Sequence, residues 1–171
     1  DGAYEFRVYE PYLVAEVSVD GQRSQAANVG FRMLAGYIFG ANQTLQDPAK
    51  AEKMAMTSPV TQEPTAEGQW KVRFMMPKKY TLGTLPKAKE PRVRFFYTAR
   101  QLFVPLRFRG SGDEPNLNRH RKQLLEYAHK NHLSAQEPIV YAFYNAPFVL
   151  PTLRRNEVML ALPEKDGSST A

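Results

Sequence analysis

The chain has 171 residues, a formal net charge of +6 and no cysteine. That length favours one domain able to bury a core of its own, and the missing cysteines exclude a disulfide framework, a thiolate metal site and a cysteine nucleophile. With 43% hydrophobic and 12% aromatic residues the composition is that of a packed globule, and no apolar run approaches the roughly 18 residues that span a membrane.

The chain starts at Asp1 rather than at an initiator methionine. A removed leader would make the protein periplasmic or exported; without one it would be cytoplasmic. Tyr4 to Tyr9 alternates with a period of two and predicts a half-buried strand. After Glu10-Pro11 the alternation resumes from Tyr12 to Val19, with Leu13, Ala15, Val17 and Val19 on one face, and Asp20-Gly21 marks a turn. From Ser24, a candidate N-cap, the period becomes helical. Ala27, Phe31, Leu34 and Ile38 make one apolar stripe, and Ala26, Val29, Met33 and Tyr37 make a second beside it. Gly40-Ala41-Asn42 suits a helix stop.

Gln43 to Glu52 reads as a loop, Met54 to Gln62 and Trp70 to Met76 as strands, and Pro77 to Pro91 as a connector. The order then recurs. Val93 to Thr98 and Leu102 to Phe108 alternate, and Gly110-Ser111-Gly112 turns the chain. Asp113 or Glu114 caps a helix with Pro115 in its first turn and Leu117, Leu124 and Ala128 on its buried stripe. Ile139 to Tyr144 and Glu157 to Leu162 are strands, separated by the proline-bounded apolar loop Pro147 to Pro151. Each half therefore reads strand, strand, helix, strand, strand. The prediction is an α+β fold in which duplicated ββαββ halves, about 4–77 and 92–162, build one antiparallel sheet or distorted barrel covered by two main helices. Residues 164–171 are expected to form a flexible tail.

No glycine spacing matches a phosphate-binding or dinucleotide loop, and Gly110-Ser111-Gly112 lacks the spacing of a nucleophile elbow. The three histidines, His120, His129 and His132, all lie in the second half. His129 and His132 share a helix face, but no further ligand completes a metal site, so they read as boundary histidines. Met33, Met54, Met56, Met75 and Met76 combine core spacing with the adaptable chemistry of thioethers near flat apolar ligands. The second helix stripe, through Val29, Met33 and Tyr37, exceeds what one sheet covers and calls for a loop, a partner or a ligand. The apolar loop 147–151 is one candidate cover. Arg154 and Arg155 follow it, placed to meet carboxylates at the mouth of such a groove. The other basic residues are dispersed and carry no recognition-helix or aromatic-basic pattern, so no nucleic-acid partner is expected.

Several blocks now form an ordered set. Tyr4-Glu5-Phe6-Arg7-Val8-Tyr9-Glu10-Pro11-Tyr12, Tyr37-Ile38-Phe39-Gly40-Ala41-Asn42, Lys53-Met54-Ala55-Met56-Thr57-Ser58-Pro59-Val60, Met76-Pro77-Lys78-Lys79-Tyr80, Tyr144-Asn145-Ala146-Pro147 and Arg154-Arg155-Asn156-Glu157-Val158 together resemble the SOUL haem-binding family, in a bacterial form. The resemblance runs from about Tyr4 to Leu162. It implies two similar halves, an eight-stranded antiparallel barrel-like sheet with two main helices, and an apolar groove along the first helix for haem or another tetrapyrrole. Carried over by position, it implies Asn28, Phe31 and Leu34 as groove residues. To these it adds the methionine segment with Met54 and Met56, and the loop before Arg154 with Phe148. The chain departs from the family in three respects. Asn28 stands where a characterised branch has a basic residue, a lysine of that branch aligns near Gly36, and the first half lacks the histidine proposed as iron ligand in another branch.

The expected function is thus non-enzymatic binding or carriage of a tetrapyrrole, the axial ligand and oligomeric state being unassigned. The alternative is a sensor or effector-binding module of the same fold, in which Glu16 or Glu157 would meet a cationic ligand. An enzyme ranks last, because no nucleophile, base and orienting partner come together in the sequence.

Overall fold

The computed structural model describes residues 4–145 and 149–163. Phe148 and the tail 164–171 lie outside these described residues. Ten strands and two α-helices follow one another as β1 (Arg7–Tyr9), β2 (Leu13–Asp20), α1 (Arg23–Ile38), β3 (Asn42–Gln43), β4 (Val60–Pro64), β5 (Gln69–Met75), β6 (Lys87–Ala88), β7 (Arg94–Tyr97), β8 (Gln101–Arg109), α2 (Glu114–Lys130), β9 (Gln136–Phe143) and β10 (Arg155–Leu162), with a 3-10 turn at Pro151–Leu153. Eight strands form one antiparallel sheet in the order β1-β8-β10-β9-β4-β5-β2-β7, curled into a half-barrel; β3 and β6 pair separately. The fold is α+β.

The strand order is palindromic. Exchanging β1 with β7, β2 with β8, β4 with β9 and β5 with β10 maps it onto its own reverse, so the two halves are related by a pseudo-twofold axis between β4 and β9. The first strand of each half is traded, β1 pairing with β8 and β7 with β2. The connectors between those strands cross and bond to one another, Tyr12 N–H to Thr98 Oγ1 at 3.1 Å and Thr98 N–H to the Tyr12 carbonyl at 2.9 Å.

Both helices lie on one face of the sheet. Helix α1 covers β2 and β5, where Ala15, Val17, Val72 and Phe74 meet Leu34, Tyr37 and Ile38; α2 covers β8 and β10, where Val104, Leu106, Val158 and Leu160 meet Leu117, Leu124 and Ala128. Fully burying a side chain such as Leu34 or Leu124 contributes about 1.5–3 kcal/mol. The second helix starts as expected, with the Asp113 carboxylate accepting the Asn116 N–H at 2.9 Å. The first does not: its N-cap is Gln22, with no side-chain cap bond, and Ser24 lies inside the helix. Its first turn is held instead by Arg23, whose buried guanidinium donates to Glu114 Oε1 at 2.5 Å, Gln62 Oε1 at 2.9 Å and the Gly112 carbonyl at 2.7 Å.

The two stripes read on α1 also merge. Gly30 sits so close to the sheet that a Cβ there would lie 2.7 Å from Val72. That contact rotates the helix so that Ala26, Ala27, Gly30, Leu34, Tyr37 and Ile38 share the buried face. No spare stripe remains. Tyr37 is in the core with its hydroxyl donating to the Pro86 carbonyl at 2.8 Å, Met33 packs beside the core, and Val29 faces out. The helix ends where expected, with Gly40 at φ +128°. Strand β4 begins only at Val60; Met54 to Thr57 run irregularly, with the Met54 N–H bonded to the Ile38 carbonyl at 2.7 Å. The β3–β6 pair, two residues on each side, falls in segments read as loop and connector, too short to display alternation.

The helix-free face carries a row of in-register residues across seven strands: Arg94, Glu16, Arg73, Thr61, Ala142, Glu157 and Arg107. Charges alternate outward from the small pair at the pseudo-axis, and their order is inverted between the halves. Opposite charges directly across from each other stabilise a sheet.

Candidate functional site

On the helix side, at the seam between the halves, α2 packs with Ile139 and Tyr141 of β9 but leaves the Phe143 end of that strand and the facing end of β4 open. A cavity of about 470 Å³ opens there. One wall is the flank of α1 with Ala27, Asn28 and Phe31; the floor is Val60 and Gln62 of β4, Phe143 of β9 and Asn156 of β10. Met56, Thr57 and Ser58 form a second wall, and Gly112, Asn145 and Arg154 close the far end. These positions follow from period. Val60 and Gln62 alternate to the helix side, as do Phe143 and Asn156, whereas Thr61, Ala142 and Glu157 take the other face.

The lining is held rigidly. Phe31 packs edge-on against Phe74 with centroids 5.3 Å apart. Arg23 ties Gln62 to the Gly112 turn and to α2, joining both halves beneath the cavity. A Cβ at Gly112 would meet the Phe143 ring at 2.7 Å, so the ring would have to move. Asn156 donates to the Gly110 carbonyl at 2.9 Å, and Arg154 Nε to the Val149 carbonyl at 2.7 Å. Among the described lining residues, Arg154 carries the charge; the rest of the polar surface is amide and hydroxyl. Burial, together with hydrogen bonding to Tyr9 and Glu157, pushes the Tyr144 phenol far above its ordinary pKa, so it stays neutral.

Four of the residues expected at a groove, Asn28, Phe31, Met56 and Arg154, line this cavity. Leu34, Tyr37 and Met54 do not. They are buried in the first core cluster, which the merged face of α1 requires. Met33 lies on the opposite flank of the helix from Phe31 and also packs on that core. Arg155 is on the other side of the sheet, because neighbours in an extended strand point to opposite faces. There its guanidinium lies 2.9 Å from Glu157 Oε1 and 4.2 Å from the Tyr144 ring centroid. Ala27, Thr57, Ser58, Val60, Gln62, Gly112, Phe143, Tyr144, Asn145 and Asn156 also line the cavity and are not among the groove residues expected from sequence. Period-two facing adds Val60, Gln62 and Phe143 once the helix side is known, but Gly112 gives no signal beyond its turn.

The two acidic candidates for a cationic ligand are elsewhere as well. Glu16 and Glu157 both face the helix-free side. Glu16 is 2.6 Å from Arg73 Nε, beside a smaller cavity of about 260 Å³. Burial works to raise the Glu157 carboxyl, but hydrogen bonds from Arg7, Arg155 and Tyr144 outweigh it and hold the group below the ordinary carboxylate range. Among the described residues, no three His, Asp or Glu side chains form a metal-holding group, and no helix is long and apolar enough to cross a membrane.

The family model for the SOUL heme-binding protein matches residues 1–161. No curated protein matches the chain. Among solved structures, the EcmrR C-terminal domain is 11% identical with a TM-score of 0.65, covering 94% of this chain and 96% of that one. SAV2435 bound to tetraphenylphosphonium is 9% identical with a TM-score of 0.53, covering 94% of both chains. A hydrolase from Listeria innocua is 11% identical with a TM-score of 0.61, covering 94% and 91%. At these identities the three share the fold alone with this protein.

Proposed function

Given that the chain belongs to the SOUL haem-binding family, we propose that it binds haem or a related tetrapyrrole in the cavity at the seam of its two halves, as a non-enzymatic binding or carrier protein. The observation that carries this reading is the lining itself, aromatic at Phe31 and Phe143, with Arg154 as the charged residue among the described lining. Flat rings offer stacking area to a planar macrocycle, and a guanidinium offers paired donors to a carboxylate. Phe31 and Phe143 would hold the ring, Arg154 a propionate, and the side-chain amides of Gln62, Asn145 and Asn156 the remaining polar edge. When bound, haem supplies an iron centre and an extended π-surface. Met56, whose thioether is exposed at the wall, is the soft ligand this lining offers to iron.

Thr57 and Ser58 bring hydroxyls to the wall, but among the described lining residues no histidine or carboxylate stands beside them as a base. Activated nucleophiles need such a partner within hydrogen-bond reach, which favours binding over turnover.

The sensor reading draws on the fold shared with the EcmrR C-terminal domain and with the cation-bound SAV2435. In the seam cavity, with Glu16 and Glu157 outside its lining, that reading is better served by a neutral effector than by a cation.

Haem titration followed at the Soret band tests the proposal. A saturable shift is expected, weakened about tenfold by Phe31→Ala, the loss of one aromatic contact, and unchanged by His129→Ala. Free-haem spectra at all ratios, or equal sensitivity to both substitutions, would overturn it.

A further inference from the structure

The adjacent residues Arg154 and Arg155 diverge to opposite faces of the sheet, and the second face has a charge imbalance that the cavity does not explain. Glu157 is fully buried there. It accepts hydrogen bonds from Arg7 Nη1 at 2.9 Å, Arg155 Nη2 at 2.9 Å and the Tyr144 hydroxyl at 2.8 Å, and forms an ion pair with Arg107 Nε at 3.6 Å. Three guanidinium groups converge on one carboxylate. Of the three, Arg7 is satisfied further by Glu5, whereas Arg107 and Arg155 have no second carboxylate among the described residues. The register adds a fourth cation, for Arg109 stands directly opposite Arg155 on the neighbouring strand, as Arg107 stands opposite Glu157.

Like charges directly across an antiparallel pair destabilise it, and here Arg109 has no acidic partner among the described residues. Arg155 Nε is the one buried side-chain nitrogen or oxygen without a hydrogen-bond partner among them. Arg107, Arg109 and Arg155 are also open to solvent, Arg107 at 55% and Arg155 at 41% side-chain exposure. Three exposed guanidinium groups at the corners of a strand-pair quadrangle, with Glu157 at the fourth corner already saturated, form a concentrated positive site on a rigid support.

We propose that Arg107, Arg109 and Arg155 form an oxyanion site on the helix-free face that binds the phosphate group of a phosphorylated ligand. A phosphate dianion supplies what this quadrangle lacks. It offers several acceptor oxygens to forked donors and enough charge to offset the excess cations. Glu157 acts as the positioning residue, since its carboxylate fixes Arg107 and Arg155 from beneath. The site is separate from the cavity, which lies across the sheet.

Two probes separate the sources of such a phosphate: inorganic pyrophosphate followed by calorimetry at low salt, and vesicles of phosphatidic acid in phosphatidylcholine followed by co-sedimentation. Arg107→Ala and Arg109→Ala are exposed changes expected to leave the thermal transition in place. Each should weaken pyrophosphate binding about tenfold, as expected for losing one charge-assisted contact. Arg92→Ala, where the arginine is exposed and paired to Glu90, should leave binding unchanged. Pyrophosphate binding with that pattern supports a soluble phosphorylated ligand. Vesicle binding with that pattern, without pyrophosphate binding, supports a lipid headgroup. Binding of neither probe, or binding insensitive to Arg107→Ala and Arg109→Ala, overturns the proposal. Because Arg107 and Arg109 are not in the cavity lining, a failure here leaves the Soret titration unaffected.

Discussion

Arg23 and Glu157 are the two buried charges whose surroundings explain most about the structure near the seam. Arg23 satisfies three acceptors that belong to β4, the Gly112 turn and α2, so Arg23→Met removes its partner from the half-buried Gln62 and Gly112 acceptors. We expect a loss of about 1–3 kcal/mol in urea unfolding, the cost of losing charge-assisted hydrogen bonds at partly buried groups. Glu157 has its pKa lowered in the fold, so it contributes stability that is present at neutral pH, above the unfolded value, and is lost as pH falls through the folded one. Stability measured by denaturant titration should therefore fall in acid, and Glu157→Gln should flatten that fall while costing about 3–5 kcal/mol at pH 7, where three guanidinium groups lose their carboxylate. An unchanged acid slope in Glu157→Gln would contradict this assignment. At this scale the sequence is legible only in part. Arg154 and Arg155 stand out together as anion partners, and strand period separates them only once the strand is known to start at Arg155. Arg23 gives no sign, because its role depends on acceptors 39 and 91 positions away.

At the scale of elements, the helix-to-sheet distance of α1 is set by Gly30, and the depth of the cavity by Gly112. Both are sites where a methyl group has no room. Gly30→Ala should cost about 1–3 kcal/mol through overpacking against Val72. Gly112→Ala should instead displace the Phe143 ring and weaken tetrapyrrole binding more than it lowers stability, a contrast read by comparing unfolding midpoints with Soret titrations. Strands and helices are legible wherever apolar residues recur over a whole element, as in β2, β8, β10 and α2. They are not where the element is two residues long, as in β3 and β6. The buried face of α1 could not be chosen from sequence either, because two stripes compete and the deciding contact is a glycine without a side chain. That choice is why Leu34, Tyr37 and Met33 fall in or beside the core and Phe31 in the cavity.

At the scale of the molecule, the palindromic sheet places a cleft on its own pseudo-axis, where the covering helices of the two halves leave Val60 and Gln62 of β4 and Phe143 of β9 open. The halves are not independent. Their first strands are traded, β4 and β9 pair across the seam, and Trp70 of the first half packs with the second core cluster, 6.2 Å from Tyr141. Tryptophan fluorescence and far-ultraviolet dichroism should consequently report one coincident unfolding transition; two separated midpoints would show that the halves unfold separately. The duplicated order is legible in the alternation, but the strand exchange is not, since pairing partners lie about 90 residues apart in sequence. Amide chemical-shift mapping with a diamagnetic, metal-free porphyrin shows whether the seam cavity is the tetrapyrrole site. Saturable shifts concentrated at Phe31, Gln62, Phe143 and Asn156 are expected; shifts centred on His129 and His132 or on the helix-free face, or none that saturate, would place the ligand elsewhere or nowhere.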